Sequence, residues 1–272
     1  MTENVLLVLG VAVMGVAFRS LGHPVLFRLG SWTVVGASFL AGWLLAGSVL
    51  VGGFLAVSWF FLPWVEFVFR LRNIRIPLER AFEPQTPPSR SVFPQFHELT
   101  DEVEAEGFDH VADVGWEDDH MRQFYRVFRN EASTTQACIC FAEEGDLAFF
   151  YLTLTSRTPA GRAFLSWNYP FAYGLKFSPM VRLNRLPATT TFADMTKEHL
   201  RFLREEGIAD GAMEKFDAQQ LVGAIQHDLQ RHVRHNLDIG ILAKDGENLI
   251  RYTFRGMFFL WVQFLRDAVR IF

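Results

Sequence analysis

Residues 33–69 carry a single charge, Glu66. A helix crossing a hydrocarbon core uses about 20 residues, so this run is too long for one straight span. Gly52-Gly53 stands near its middle, where a turn between two helices falls. We expect two antiparallel transmembrane spans, 33–51 and 54–69. Trp32, Trp59 and Trp64 would sit in the interfacial aromatic belt, with Pro63 kinking the second span. Glu66 precedes Arg70 by four residues, so the pair reads as an i,i+4 contact near the interface. Within the first arm Ser38, Gly42 and Ala46 recur every fourth residue and share a face. Small residues there allow close helix packing, against the second arm or against another subunit.

Residues 4–18 are also apolar but short for a full span. Glu3 stands where a secretory signal would place positive charge, which favours a short further span. Arg19 and Arg28 follow that segment, and Arg70, Arg72, Arg75 and Arg80 follow the hairpin. Cytoplasmic loops collect arginine, so both groups, and the chain after them, are expected in the cytoplasm.

The expected organisation is a transmembrane region, 1–82, a Pro- and Ser-rich linker, 83–92, and a cytoplasmic α+β domain, 93–272. Segments 109–116, 122–130, 135–144, 147–157 and 163–170 are rich in aromatic and β-branched residues and end at turn formers. Their connectors are too short for crossover helices, which predicts an antiparallel meander. Helices are expected over 192–206, stopped by Gly207, and from Asp217 onward, where Leu221, Ile225, Leu229 and Val233 recur. A hairpin follows around Asp245-Gly246.

Residues 257–272 form an amphipathic C-terminal helix with Gln263, Arg266, Asp267 and Arg270 on one narrow polar stripe. It suits the membrane interface, with Trp261, Arg266 and Arg270 at the boundary. The other reading is the central helix of the soluble core.

The net charge of -4 argues against a nucleic-acid binder. Only four of the 26 basic residues are lysine, which fits a GC-rich bacterial genome and hence the bacterial inner membrane. Cys138 and Cys140 are too few for a disulfide scaffold and read as small hydrophobes on one face of a central strand.

Sites that could carry chemistry are sparse. His227, His232 and His235 crowd one helix, but Arg231 and Arg234 interleave with them and the spacing is not that of a zinc helix. They read as a basic face, with a metal as the lesser reading. The acidic run 116–120 reads as a charged turn, and His23 as a loop histidine. Arg157 and Arg162 flank a Pro-Gly turn and could hold an anion. No phosphate-binding loop, dinucleotide fingerprint or nucleophile elbow occurs, so no cofactor and no reaction is assigned. The leading expectation is a non-catalytic subunit, scaffold or regulator of a membrane complex, partnered by lipids and by other transmembrane subunits or itself. The rival is a membrane-anchored enzyme or ligand sensor with its site on the sheet, where Arg157, Arg162, Trp167 and Tyr169 would contribute.

Overall fold

The computed structural model describes residues 2–271 apart from 21–23, 119–120, 131, 133, 146, 172, 210–211 and 216. His23 and part of the 116–120 run lie outside the described residues, as do the side chains of Arg28, Glu66, Arg70 and Arg270. The chain is mixed helix and sheet, an α+β protein. It divides into two compact units, Met1–Asn73 and Ile74–Phe272.

The first unit is three helices: α1 (Thr2–Ser20), α2 (Pro24–Leu45) and α3 (Val49–Asn73). Among the described residues α1 alone is both long and apolar enough to cross a membrane, while α2 and α3 contribute the shorter apolar stretches Leu29–Leu45 and Val49–Trp59. The expected turn at Gly52-Gly53 is corrected: both residues lie inside α3. The chain reverses at 46–48, where Gly47 takes φ 68°, a left-handed conformation natural to glycine. Gly52 serves a different need. A Cβ there would come within 2.6 Å of the Phe39 carbonyl oxygen, and one on Gly42 would press into the backbone of Val51 and Gly52. The two glycines let α2 and α3 approach almost backbone to backbone. Trp59 Nε1 donates to Ser38 Oγ across the same seam at 2.6 Å. Ser38 and Gly42 therefore face the hairpin's own second helix, whereas Ala46 sits exposed in the turn. Gly15 and Gly30 repeat the device between α1 and α2: a Cβ on Gly30 would lie 2.6 Å from the Gly15 carbonyl oxygen.

The second unit is built on a seven-stranded sheet. Its strands, in spatial and sequence order, are β2 (Glu83–Pro84), β3 (Asp109–Glu117), β4 (Met121–Asn130), β5 (Thr135–Glu144), β6 (Leu147–Arg157), β7 (Ala163–Trp167) and β8 (Val181–Arg185). From β2 to β7 every pairing is antiparallel, and from β3 onward the connectors are too short for any other arrangement. Two features depart from the sequence reading. The expected linker opens with an edge strand, Glu83 pairing Gly115 and Pro84 pairing Val114. Strand β8 pairs parallel with β7, reached by a crossover, 168–180, whose described residues are loop rather than helix.

Alternation on the strands splits the domain into two cores. Phe124, Phe128, Ala137, Ile139, Phe141, Leu152 and Leu154 point to one face. Helices α4 (Phe96–Ala105) and α5 (Phe192–Glu205) cover it with Phe96, Val103, Phe192 and Met195. Helix α5 starts at the Thr191 side chain, which accepts from the Asp194 backbone N–H, and ends before Gly207 at φ 73°. Tyr125, Val127, Cys138, Cys140 and Tyr151 point to the other face, against Leu221 and Ile225 of α6 (Ala218–Asp238). Strand β5 is central and buried along most of its length on both faces.

A small sheet of β1 (Ile76–Pro77), β10 (Leu249–Tyr252) and β9 (Leu242–Lys244) completes the unit. It is followed by α7 (Phe254–Ile271). This helix begins three residues before the expected 257 because Thr253 Oγ1 accepts from the Gly256 backbone N–H. Gly256 and Met257 are its only buried positions among the described side chains, while Phe254, Phe258, Phe264 and Leu265 are exposed. A central core helix would bury such residues, so that reading is corrected.

Candidate functional site

The two sheet faces are not covered equally. Helix α6 is a single rod over the β3–β7 face, and its predicted apolar row stops packing partway: Leu221 and Ile225 are buried, but Leu229 is 39% exposed. Beyond Ile225 the helix stands off the sheet and leaves a cavity of about 370 Å³. The floor is Tyr125, Cys138, Cys140, Tyr151, Thr153, Leu165 and Trp167, each strand contributing residues two apart. Ile225, Asp228, Leu229 and His232 of α6 form the roof, and 173–177 of the crossover form a side wall.

Aromatic rings give the cavity its shape. Trp167 stacks on Tyr169 at 5.1 Å, Tyr169 meets Tyr151 edge-on at 4.9 Å, and Phe177 bridges Trp167 at 5.2 Å and His232 at 5.0 Å. The crossover is held in place by polar clamps. Asn236, wholly buried on α6, donates to the Lys176 carbonyl at 2.8 Å and accepts from the Lys176 N–H at 2.9 Å. Tyr252 of β10 donates to the Gly174 carbonyl at 3.0 Å. Short, multiply bonded contacts like these make a wall rather than a loose loop.

The electrostatics are those of an apolar chamber with one built-in dipole. Burial pushes the Cys138 and Cys140 thiols and the Tyr125 and Tyr151 phenols up from their ordinary values, so all four stay protonated at neutral pH. Burial likewise drives His232 down to about 4, which leaves its imidazole neutral. At one end Arg157 donates to Asp228 through Nη2 at 2.6 Å and Nε at 2.9 Å, and through Nη1 to Gln136 Oε1 at 2.8 Å. Arg231 pairs with the other Asp228 oxygen and donates to the Gly161 carbonyl at 3.2 Å. Two groups are left over: Trp167 Nε1 and His232 Nε2 are buried with no hydrogen-bond partner among the described residues. An unpaired buried polar nitrogen costs about 1–3 kcal/mol.

Of the residues singled out from the sequence, the fold brings Arg157, Trp167, Tyr169 and His232 to this cavity. Arg162 lies outside it, 3.7 Å from Glu206 and over the Phe164 ring. Arg157 and Arg162 thus do not converge on one anion, because each already carries a carboxylate. His227 is exposed and His235 half-buried. No group of three or more His, Cys, Asp or Glu side chains is placed to hold a metal ion among the described residues. Trp116 of the acidic run lies under the Arg80 guanidinium at 3.5 Å, and Asp118 pairs with the same arginine. Sequence reasoning missed Tyr125, Tyr151 and the 173–177 wall. A signal exists: Gln123-Tyr125, Cys138-Cys140, Tyr151-Thr153 and Leu165-Trp167 all place small, hydroxylated or aromatic residues two apart where a sealed core would carry aliphatic ones.

The opposite face holds a second buried histidine. His199, 1% exposed, sits between Ser156 Oγ (3.0 Å from Nε2) and Ser166 Oγ (2.8 Å from Nδ1). Asn184 donates to Ser166 Oγ, and Ser156 meets Thr135 at 3.0 Å. These hydrogen bonds brace β5, β6, β7 and α5 against one another.

Comparison with protein-family models, curated proteins and solved structures finds no match. The fold and the site define an α+β domain with an aromatic chamber between an antiparallel sheet and one long helix.

Proposed function

We propose that this chain is a membrane-anchored ligand-binding protein, a sensor or carrier whose α+β domain holds a small, largely apolar molecule between the sheet and α6. The observation that carries this reading is the chamber itself: about 370 Å³, with the rings of Tyr125, Tyr151, Trp167, Tyr169, Tyr173 and Phe177 in its lining. Pockets of this kind bind small molecules through apolar contact and a few oriented polar groups. The neutral His232 can also accept a proton, but no side-chain nucleophile hydrogen-bonds to it among the described residues, so binding is preferred over catalysis.

The anchor is the first unit. The apolar helix α1 supports attachment to a membrane. The outward residues of the unit, among them Leu6, Val13, Leu50, Phe54 and Phe69, are apolar while glycines fill the seams. That inside-out pattern supports three spans, with the α2–α3 hairpin transmembrane. The arginines at 19, 28, 70, 72, 75 and 80 support a cytoplasmic second unit, in the inner membrane of a bacterium. Helix α7, with Trp261, Arg266 and Arg270, would lie along the inner-membrane interface.

The second reading, a non-catalytic subunit or scaffold of a membrane complex, draws on the same exposed apolar residues, which could seat other transmembrane helices. Native purification in mild detergent with mass spectrometry separates the two. A small molecule retained by the lone chain supports the sensor; a stoichiometric membrane partner and no retained molecule overturns it. Protease protection at residue 150 tests orientation, and cleavage from the periplasmic side refutes it.

A further inference from the structure

The rings of the chamber take two orientations. Trp167, at the end of β7, lies at 25° to Tyr169 and at 35° to Tyr173, with centroids 5.1 and 5.8 Å away. Tyr151 stands across this set, at 89° to both Trp167 and Tyr169. Phe177 crosses it too, at 74° to Trp167 and 73° to Tyr173. One group of rings therefore runs roughly parallel, and the other meets it edge to face. All of them line the same cavity of about 370 Å³, a volume at the small end of the range for ligand pockets.

The fold holds this arrangement in place. Strand alternation puts Tyr151 of β6 and Trp167 of β7 on the sheet face that α6 covers. Tyr169, Tyr173 and Phe177 come from the crossover, whose backbone is fixed by Asn236 at Lys176 and by Tyr252 at Gly174. Each of these rings contacts at least two of the others. Aromatic side chains turn about only two bonds, so rings braced in this way make flat, stiff walls. Leu165, Ile225 and Leu229 add ordinary apolar contact.

Charge in the lining is spoken for. Arg157, Lys176 and Asp228 are its charged residues. Asp228 is shared between Arg157 and Arg231, so a cation would compete with two guanidinium groups for it. Arg157 already donates from Nε, Nη1 and Nη2 to Asp228 and Gln136, so an anion would compete with both. Lys176 is exposed, where water weakens what its ammonium can offer. Desolvating an ion costs several kcal/mol unless it is well paired, and an uncharged molecule avoids that cost.

We infer that the chamber takes a flat, uncharged aromatic molecule, a fused-ring compound seated among Tyr151, Trp167, Tyr169, Tyr173 and Phe177. The inference rests on the chamber being a binding site, and adds the class of its ligand. A planar ring gains offset stacking from one group of walls and edge-to-face contact from the other, the two geometries that ring quadrupoles favour. A saturated molecule of the same size gains apolar burial alone.

The test uses the full chain in phosphatidylcholine nanodiscs at pH 7, with binding read by equilibrium dialysis and empty nanodiscs as the background. The probes are 2-naphthol, its saturated counterpart decahydro-2-naphthol, 2-naphthoate and (2-naphthyl)trimethylammonium. The naphthol is expected to bind at least tenfold more tightly than each of the others. Tyr173→Leu combined with Phe177→Leu, which exchanges wall rings for aliphatic groups, should bring the naphthol within twofold of the saturated alcohol. Trp167→Leu is the second variant of this kind. Leu165→Trp and, at the half-exposed roof, Leu229→Trp fill the chamber and should weaken the naphthol at least tenfold; circular dichroism confirms that each variant is folded. Equal binding of the two alcohols, lost in the filling variants, overturns the aromatic ligand while the chamber stands. So does an aromatic preference that survives the leucine variants. Tighter binding of the naphthoate or of the trimethylammonium overturns the uncharged ligand in favour of an anion or a cation. Binding of no probe, or binding untouched by filling, overturns the chamber as well.

Discussion

Acidification should unlock the domain through His199. One consistent chain of donors runs from Asn184 to Ser166, from the Ser166 hydroxyl to His199 Nδ1, and from His199 Nε2–H through Ser156 to Thr135. It uses the neutral ring. A protonated ring would donate from both nitrogens and leave the Ser166 hydroxyl proton without an acceptor. Burial drives the His199 pKa from 6.5 down to about 4, so the folded state resists protonation while the unfolded chain accepts it. Between these values the unfolded state binds more protons, and stability therefore falls as pH falls. The contribution is intact above 6.5 and, at 1.36 kcal/mol per pH unit, about 3 kcal/mol of it is lost by pH 4. For a domain of this size each kcal/mol moves the melting midpoint by about 2–4 °C, so a fall of roughly 6–12 °C is expected. The assay is thermal unfolding of the full chain in mild detergent, followed by circular dichroism from pH 7.5 to 4. The partner experiment is His199→Gln, which cannot titrate. It should start about 1–3 kcal/mol less stable at neutral pH from weakened buried hydrogen bonds, but its profile should be flatter between 6.5 and 4. His232 remains in both proteins, titrates in the same direction, and sets the residual slope. Parallel profiles for the two proteins would refute the argument.

Three further outcomes follow from the packing. Gly42→Leu drives a side chain into the α3 backbone at Val51 and Gly52; it should separate the hairpin and break the Ser38–Trp59 bond, which disulfide trapping between α2 and α3 would report as lost cross-linking, and retained cross-linking would sink the close-packing account. Arg157→Leu removes two charge-assisted hydrogen bonds to Asp228 but leaves it paired with Arg231; a cost of about 1–3 kcal/mol is expected by denaturant titration, less than for a stranded charge because one partner remains. Asp245→Ala removes the partner of Arg75 and Arg251, whose side chains are more than a third exposed; less than about 1 kcal/mol should be lost by the same titration.

Much of the second unit was legible in the sequence because its elements carry strong local signals. Five strands, the meander and helices α5 and α6 follow from alternation, turn residues and caps, which act over a few residues. The parallel β8 was not legible, because a crossover without a helix leaves no periodic pattern between 168 and 180. The Gly52-Gly53 turn was misplaced for an instructive reason. Glycine marks both turns and close approaches, and only the partner helix tells them apart; Gly47 supplied the turn while Gly52 met Gly42. Of the site, Arg157, Trp167, Tyr169 and His232 were noticed one at a time. Their convergence depends on the register of β4–β7 and on α6 standing off the sheet beyond Ile225, neither of which a single strand encodes.

The crossover from β7 to β8 has a consequence for how such a domain could diversify. In most parallel pairings the connection is a helix that must pack, so its residues are committed to the fold. Here one contiguous stretch links the strands and presents Tyr169, Tyr173 and Phe177 to the chamber; Pro170, Phe171, Gly174 and Lys176 are held through their backbone by Arg185, Tyr252 and Asn236, while the Asn168 side chain ties the start of the stretch to the Leu152 N–H. Backbone fastenings ignore side-chain identity. The side chains at 173–177 are therefore open to exchange: ligand preference could be rewritten there while Asn168 and the seven-stranded ladder stay as they are.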